Sequence, residues 1–478
     1  MSCTMKPGRT MFSAVVAILA ALCACAAAGA REGLAVAVPA TGVIGVEPAQ
    51  LTPEFWIARL ADPDKVLLDA DQIRARNAHL LRVDTTMHDL RALPATLSRQ
   101  KISEMIQALS ERPSHELFDA AGKPIPARTI DALIDDLALS AIPGTQTTRY
   151  GLVVQRADLR TFPTTLRVFG TRGDTDIDRF QESALFPGTP VAMIHQSGDG
   201  LWWFVVSPRY AAWVEKKYIA EGAAAEVLDY AERKPYRVVT GANAATVFTP
   251  EQPALSQLRL DMSVRVPLLT DWPAAQIVNG QHPYASYVIQ LPLRGDDGAL
   301  RLAPALLQKN ADTSADYLPL TQANILRQAF KFLGERYGWG HSYGTRDCSG
   351  FVSDVYRSMG IDMPRNTRDQ SVSTGLEHRL FGARDDRATR MAAARALQVG
   401  DLVYIPGHVM MAIGSIDGEP YVIHDTSGLS YRTRDGAKVH VDLNEVSVSP
   451  LMPLLFNDQQ TYIDRMTSIV HPTKAPTQ

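Results

Sequence analysis

Apolar positions in this chain change their spacing twice. Between residues 48 and 145 they recur at helical intervals. Thr52-Pro53-Glu54 is a helix start, and Trp56, Leu60, Val66 and Leu67 predict helices joined by polar turns, with similar patterns at 97–110 and 129–139. From Gly151 the pattern shortens to strands. Val191 to His195 runs into the turn Ser197-Gly198-Asp199-Gly200, Leu201 to Val206 returns from it, and Ala211 to Val214 follows as a further strand. Tyr236 to Val239 and Val264 to Val266, with turn residues between, predict a second β unit over 228–305.

The last third mixes both periods. Phe351, Val352, Val355, Tyr356 and Met359 lie at helical spacing, and Gly360 is placed to end the helix. Asp401 to Ile405 reads as a strand, Pro406-Gly407 as a break and His408 to Ile413 as a second strand. Tyr421 to His424 follows the turn-prone Ser415-Ile416-Asp417-Gly418, so a hairpin is predicted there.

This pattern places Cys348, the only cysteine beyond position 25, at a helix N-terminus. Unpaired backbone N–H groups and the helix dipole favour the thiolate at such a position. A lone cysteine is by default a small buried hydrophobe. Two histidines change the reading here. His408 opens its strand and lies with His424 symmetrically about residue 416, so the hairpin would make them near-opposite neighbours, whereas a register slip would separate their faces. The set reads as a nucleophile (Cys348), a base (His408) and a group that orients the base (His424). Cysteine and two histidines could also ligate zinc, but no close Cys-x-x-Cys or His-x-x-x-His pair anchors a site, and no metal or other cofactor is expected.

Several motifs in order then resemble one family, the NlpC/P60 cysteine peptidases, which cut bacterial cell-wall peptides. They are Asp347-Cys348-Ser349-Gly350-Phe351 around the thiol, Gly400-Asp401-Leu402-Val403 ahead of His408, Tyr337-Gly338-Trp339-Gly340, and Pro364-Arg365-Asn366-Thr367 with Gln370. The resemblance covers roughly 320 to 450. It departs at His341, which stands where the family's Tyr-x-Trp-Gly-Gly has its last glycine. Arg160-Thr161-Phe162-Pro163-Thr164, the 191–206 hairpin and the strand containing Trp213 resemble the bacterial SH3 domain of one subgroup.

The resemblance implies a multidomain α+β architecture: a helical N-terminal region (48–145), two small SH3-like β-barrels (148–222 and 228–305) and a papain-like peptidase domain (318–455). It implies cleavage of the bond between γ-D-glutamate and the diamino acid of a peptidoglycan stem peptide. It further implies that Asp347 and Ser349 help bind the free amine of an N-terminal L-alanine, and that Tyr337 and Trp339 contact substrate. Fold does not fix substrate, so an amidase or acyltransferase remains an alternative, as does a non-catalytic wall-binding protein. Whether the charged stretch 376–390 forms a lid is open at this level.

Composition narrows the partners. Across 478 residues the chain is 46% hydrophobic and 21% charged, which is the make-up of folded protein. A formal net charge of −3 supplies no broad basic field, which argues against a nucleic-acid partner. Lys6 and Arg9 precede an apolar stretch from Met11 to about Ala28, the pattern of a secretory signal over residues 1–30, with Ala28-Gly29-Ala30 as a small-x-small cleavage site. Leu22-Cys23-Ala24-Cys25 also resembles a lipobox in which Cys25 would be lipidated. Two destinations stand: a soluble periplasmic protein or an outer-membrane lipoprotein that meets the membrane only through its anchor. In either case Cys348 is the only thiol left for the folded domains, with no cysteine to pair with it.

Overall fold

Six antiparallel strands build the sheet that carries the C-terminal third. Their order is His378–Leu380, Ser468–Val470, Leu402–Ile405, His408–Ile416, Glu419–Arg432 and Lys438–Pro450. The computed structural model describes residues 41–433 and 435–474. The expected signal segment and Cys25 lie outside the described residues. Thr41 to Glu47 is a short unit of its own, in which Thr41 Oγ1 donates to the Val46 carbonyl at 2.7 Å.

The helix Cys348–Arg357 packs on the strands His408–Ile416 and Glu419–Arg432. Its apolar face explains why: Phe351, Val352, Val355 and Tyr356 are all fully buried. Asp347 caps it, accepting a bond from the Gly350 N–H at 2.8 Å. The charged stretch that was open as a lid contains the edge strand His378–Leu380, tied by pairing to Ser468–Val470, and the helix Arg387–Arg395.

Before residue 145 the chain forms the helices Pro53–Ile57, Ala70–Val83, Arg99–Leu109 and Ala127–Asp136. The first ends at Ile57, and Val66 and Leu67 are not helical. Pro63 breaks the run, and Leu67 donates its N–H to Leu320 instead, beside a bridge from Leu68 to Leu320. Strand Thr96–Ser98 pairs with Thr145–Thr147. Ile102, Ile106 and Ile130 of the later helices share one core with Phe204 and Trp213 of the following sheet and with Phe162 and Phe180 of its connections. Ser110 stitches them further, donating to the Thr161 carbonyl at 2.6 Å and accepting from Trp213 Nε1 at 3.1 Å.

That following sheet has seven strands in the order Gln181–Leu185, Ala157–Arg160, Ala211–Glu215, Trp202–Val206, Pro190–Gln196, Arg149–Val153 and Ile219–Gly222. The predicted 191–206 hairpin and the Trp213 strand are both in it. The expected barrel is not closed, because the terminal strands Gln181–Leu185 and Ile219–Gly222 do not pair with each other. The second β unit is likewise no closed barrel. It is divided among a three-stranded sheet containing Tyr236–Val239 and Arg265–Pro267, and two-stranded pairs including the ribbon Ser286–Arg294 with Leu300–Gln308. Pro253, Pro273 and Pro283 fall between these strands, where a residue without an N–H interrupts pairing.

Candidate active site

Local conformation and one sheet irregularity bring the predicted residues together. The turn Asp417-Gly418 has both residues in the left-handed region (φ 51° and 79°) and sets Ile416 opposite Glu419. Continued unbroken, that register would put His408 opposite Ser427, with His424 on the other face of the sheet. A bulge between Ala412 and Gly414 inserts one residue, so that Met411 faces Ile423 and parity is restored. His408 and His424 then share a face as diagonal neighbours rather than direct opposites. His408 Nε2 lies 2.8 Å from His424 Nδ1, and His424 Nε2 lies 3.0 Å from Ser449 Oγ.

Cys348 meets the start of the same strand. The Val409 N–H bonds its sulfur, and Thr367 Oγ1 is 3.7 Å from Sγ. The thiol is buried and free, and it is the only cysteine among the described residues. The expected thiolate is not its resting form. Burial, followed by the charge of Asp347, pushes the thiol up to about 12. The helix start offers a favourable dipole, but desolvation opposes it and its own capping carboxylate adds to that opposition. Burial also lowers His408 to about 4 and holds His424 well below the ordinary histidine value, with His408 as the second cause. The resting set is therefore a neutral thiol, held at the start of the His408 strand, and two neutral imidazoles.

Asp347 is saturated by the protein. Its oxygens accept from the Gly350 and Gly340 N–H groups at 2.8 and 3.0 Å, from Arg365 Nη2 and Nη1 at 2.8 and 3.2 Å, and from Ser349 Oγ at 3.2 Å. Arg365 also donates to Ser349 Oγ at 2.9 Å and, through Nε, to Ser183 Oγ at 2.7 Å. The guanidinium thus ties the segment beside the thiol to the seven-stranded sheet. Gln370, bonded to the carbonyls of Pro364 and Ser349 and to the Tyr404 hydroxyl, braces it from beneath.

The segment from Tyr337 to Gly344 docks on that sheet as well. Trp339 Nε1 donates to the Gln181 carbonyl at 3.1 Å, and Gln181 Nε2 returns a bond to the Gly340 carbonyl at 2.8 Å, leaving the Trp339 ring half-buried. Tyr337 is buried beside the thiol, and burial with nearby negative groups keeps its phenol protonated and a donor. The departure at His341 has a visible geometry: it adopts φ 64°, the backbone conformation glycine accepts most readily, with its ring edge-on to Phe186 at 5.7 Å. Burial and surrounding arginines hold that imidazole neutral. Gly350 is required beside it, since a Cβ there would lie 2.4 Å from His341 Nε2.

Sequence reading missed three neighbours. Glu182 is half-buried, accepts from the Thr161 and Tyr210 hydroxyls at 2.5 Å each, and has no cation at ion-pair distance among the described residues. Tyr210 in turn bonds Asn366, the residue before Thr367. Ser449 is the third. None of these stands near Cys348 in sequence, and the only advance signal for Glu182 and Tyr210 was the SH3 resemblance around them. No group of His, Cys, Asp and Glu side chains among the described residues is arranged to hold a metal ion.

The NlpC/P60 family model matches residues 334–447, and the model of the SH3 domain of SH3b1 type matches 167–215. A gamma-D-glutamyl-L-lysine dipeptidyl-peptidase of Bacillus cereus is 27% identical over 268 residues, which cover 50% of this chain and 66% of that protein. A probable endopeptidase p60 of Listeria seeligeri is 32% identical over 116 residues, 24% of this chain and 19% of its own length. This chain thus spans just under two thirds of the first relative and about a fifth of the second. An NlpC/P60 endopeptidase of Photobacterium damselae subsp. piscicida superposes with TM-score 0.69 at 16% identity, covering 89% of this chain and 98% of that one, a likeness of fold. Residues 334–447 are therefore an NlpC/P60 domain and 167–215 an SH3 domain of the SH3b1 type.

Proposed function

We propose that this protein is an exported cysteine peptidase that hydrolyses the γ-D-glutamyl–diamino acid bond of peptidoglycan stem peptides bearing a free N-terminal L-alanine. The observation that carries the reading is the buried thiol bonded by the N–H of Val409, the residue after His408, whose Nε2 is 2.8 Å from His424 Nδ1. The family and the dipeptidyl-peptidase relative support the substrate class.

In this mechanism His408 Nε2 is committed to His424, so Nδ1 is the nitrogen that receives the thiol proton. With both partners neutral at rest, proton transfer accompanies attack of Sγ on the carbonyl carbon instead of preceding it. The Cys348 backbone N–H and the protonated Tyr337 phenol are the donors for the developing oxyanion. The intermediate expels the diamino acid's amine, which takes the proton back from His408, and water activated by His408 then hydrolyses the thioester. Trp339 offers its open face to the peptide.

The ammonium of L-alanine needs a countercharge. Asp347 and Ser349 shape that end of the groove, but Arg365 already neutralises the Asp347 charge. Glu182, held by two hydroxyls and paired with no cation among the described residues, is the carboxylate we assign to the amine. A cell-wall substrate implies an extracellular or periplasmic location. No helix among the described residues is long and apolar enough to cross a membrane.

Mass spectrometry of L-Ala-γ-D-Glu-meso-diaminopimelate and its N-acetylmuramoyl form, incubated with the protein and with Cys348→Ala, tests the reading. The expected outcome is release of L-Ala-γ-D-Glu from the free peptide alone, abolished in the variant. Cleavage of both would remove the amine gate. Cleavage of neither would reject the peptidase in favour of an amidase, acyltransferase or wall-binding role.

A further inference from the structure

Ser449 lies on the strand Lys438–Pro450, opposite Val422, and is fully buried. Its Oγ is 3.0 Å from His424 Nε2, on the far side of the ring from the 2.8 Å contact to His408. We propose that Ser449 is a positioning residue: it terminates a His408–His424–Ser449 hydrogen-bond chain and selects the His424 tautomer that lets His408 take the thiol proton. The inference rests on the cysteine-peptidase reading above and extends it by one residue.

Proton accounting leaves one productive direction for the chain. For His408 Nδ1 to accept a proton, Nε2 must already carry one and donate it to His424 Nδ1. His424 is then protonated at Nε2, and that N–H must donate in turn. The acceptor within reach is Ser449 Oγ. In the reverse direction Ser449 donates to His424 Nε2, His424 Nδ1–H donates to His408, and His408 is left protonated at the nitrogen that should be empty. A hydroxyl can follow either direction. Once the thiol proton has moved, His408 carries N–H groups at both nitrogens, and only the direction ending on Ser449 as acceptor leaves no donor stranded. The serine therefore matters most when His408 is charged, and its loss falls on turnover more than on substrate binding.

The sequence could not reveal this role. Ser449 stands 25 positions from His424, and the two are brought side by side by the long pairing of Glu419–Arg432 with Lys438–Pro450. The His424 ring is perturbed by burial and then by His408, and among the described residues no carboxylate or cation is a further cause. The tautomer therefore depends on the two hydrogen bonds at its ring nitrogens.

The test combines kinetics with 15N NMR of the histidine rings in the full chain. Wild type is expected to show His424 protonated at Nε2. Ser449→Ala should shift it toward Nδ1, lower kcat roughly tenfold with KM unchanged, and slow alkylation of Cys348 by iodoacetamide. Ser449→Thr, which keeps the hydroxyl, should restore both the tautomer and kcat. A wild-type His424 protonated at Nδ1 overturns the proposal, whether or not Ser449→Ala folds. So does a loss of kcat with no change of tautomer, or unchanged kcat in Ser449→Ala. If wild type cleaves neither stem peptide, the peptidase reading fails, while the tautomer and alkylation measurements still decide the role of Ser449.

Discussion

At the scale of single residues, burial decides more than sequence position does. Helix-start placement of Cys348 points to a thiolate, yet the thiol sits in a dry pocket against the Asp347 carboxylate and is pushed up to about 12, with His408 lowered to about 4. In the proposed mechanism His408 acts as base only when neutral, and a lowered value keeps it neutral to more acid pH. The acid limb of kcat/KM is therefore expected near pH 4 rather than at the ordinary histidine value of 6.5. Iodoacetamide labelling of Cys348 should stay slow through neutral pH and rise only in the alkaline range. A limb near 6.5 in the free enzyme would contradict this electrostatic picture. A second prediction concerns Glu182. If it faces the substrate ammonium, Glu182→Gln should raise KM for the free-amine peptide about tenfold or more with a smaller effect on kcat. Steady-state kinetics at constant ionic strength would check it, and an unaltered KM would return the amine to the Asp347 side. Cys348, His408 and Asp347 were legible because they stand in short motifs or at the ends of periodic runs. Glu182 and Ser449 carry no such mark, since each acts on a group contributed by a distant strand.

Among the elements, the helix Cys348–Arg357 was predictable in place and face, because its burial follows a 3.6-residue period that any sheet partner would satisfy. Its N-terminus was less so. His341 and Gly350 are nine residues apart on the chain yet in contact, and the ring occupies the space a Cβ at 350 would need. Gly350→Ala should therefore destabilise the protein by about 1–2 kcal/mol despite the better helix propensity of alanine. Removing the ring with His341→Gly in the same chain should recover most of that loss, so urea unfolding of the four members of the cycle should show strong coupling. Additive effects would mean that the clash is relieved elsewhere. The hairpin carries the sharper lesson. Its turn was legible from Asp417-Gly418, but the two-residue turn alone places the histidines on opposite faces. The bulge at Ala412/Gly414 that reunites them leaves no clear trace in an apolar run.

For the whole molecule, ion pairs between distant segments tie the NlpC/P60 domain to the β units before it. Asp261, fully buried in the second β unit, forms ion pairs with Arg156 at 2.6 Å, Arg259 at 2.9 Å and Arg346 at 3.3 Å. Arg346, one residue before the Asp347 cap, also reaches Glu335 and Asp354. Removing the shared carboxylate would leave buried guanidiniums short of countercharge. Asp261→Asn should therefore cost about 3 kcal/mol or more and lower activity although it lies outside the NlpC/P60 match, with urea unfolding and peptide turnover as the measurements. A neutral result would mean that the β units and the NlpC/P60 domain are mechanically independent. The closed barrels implied by resemblance are open sheets here, since alternation within a strand says which face is buried but not which strand completes the edge.

By itself the sequence determined many of the local elements and the family of the C-terminal domain, and it marked the thiol and the two histidines as candidates, because these depend on short-range periodicity and on contiguous motifs. Tertiary structure alone decided the protonation of the thiol, the common face of the histidines, the saturation of Asp347 by Arg365 and the approach of Glu182 and Ser449. Desolvation, sheet register and hydrogen bonding across distant strands arise only when separate parts of the chain exclude water together, and no single stretch of sequence contains them.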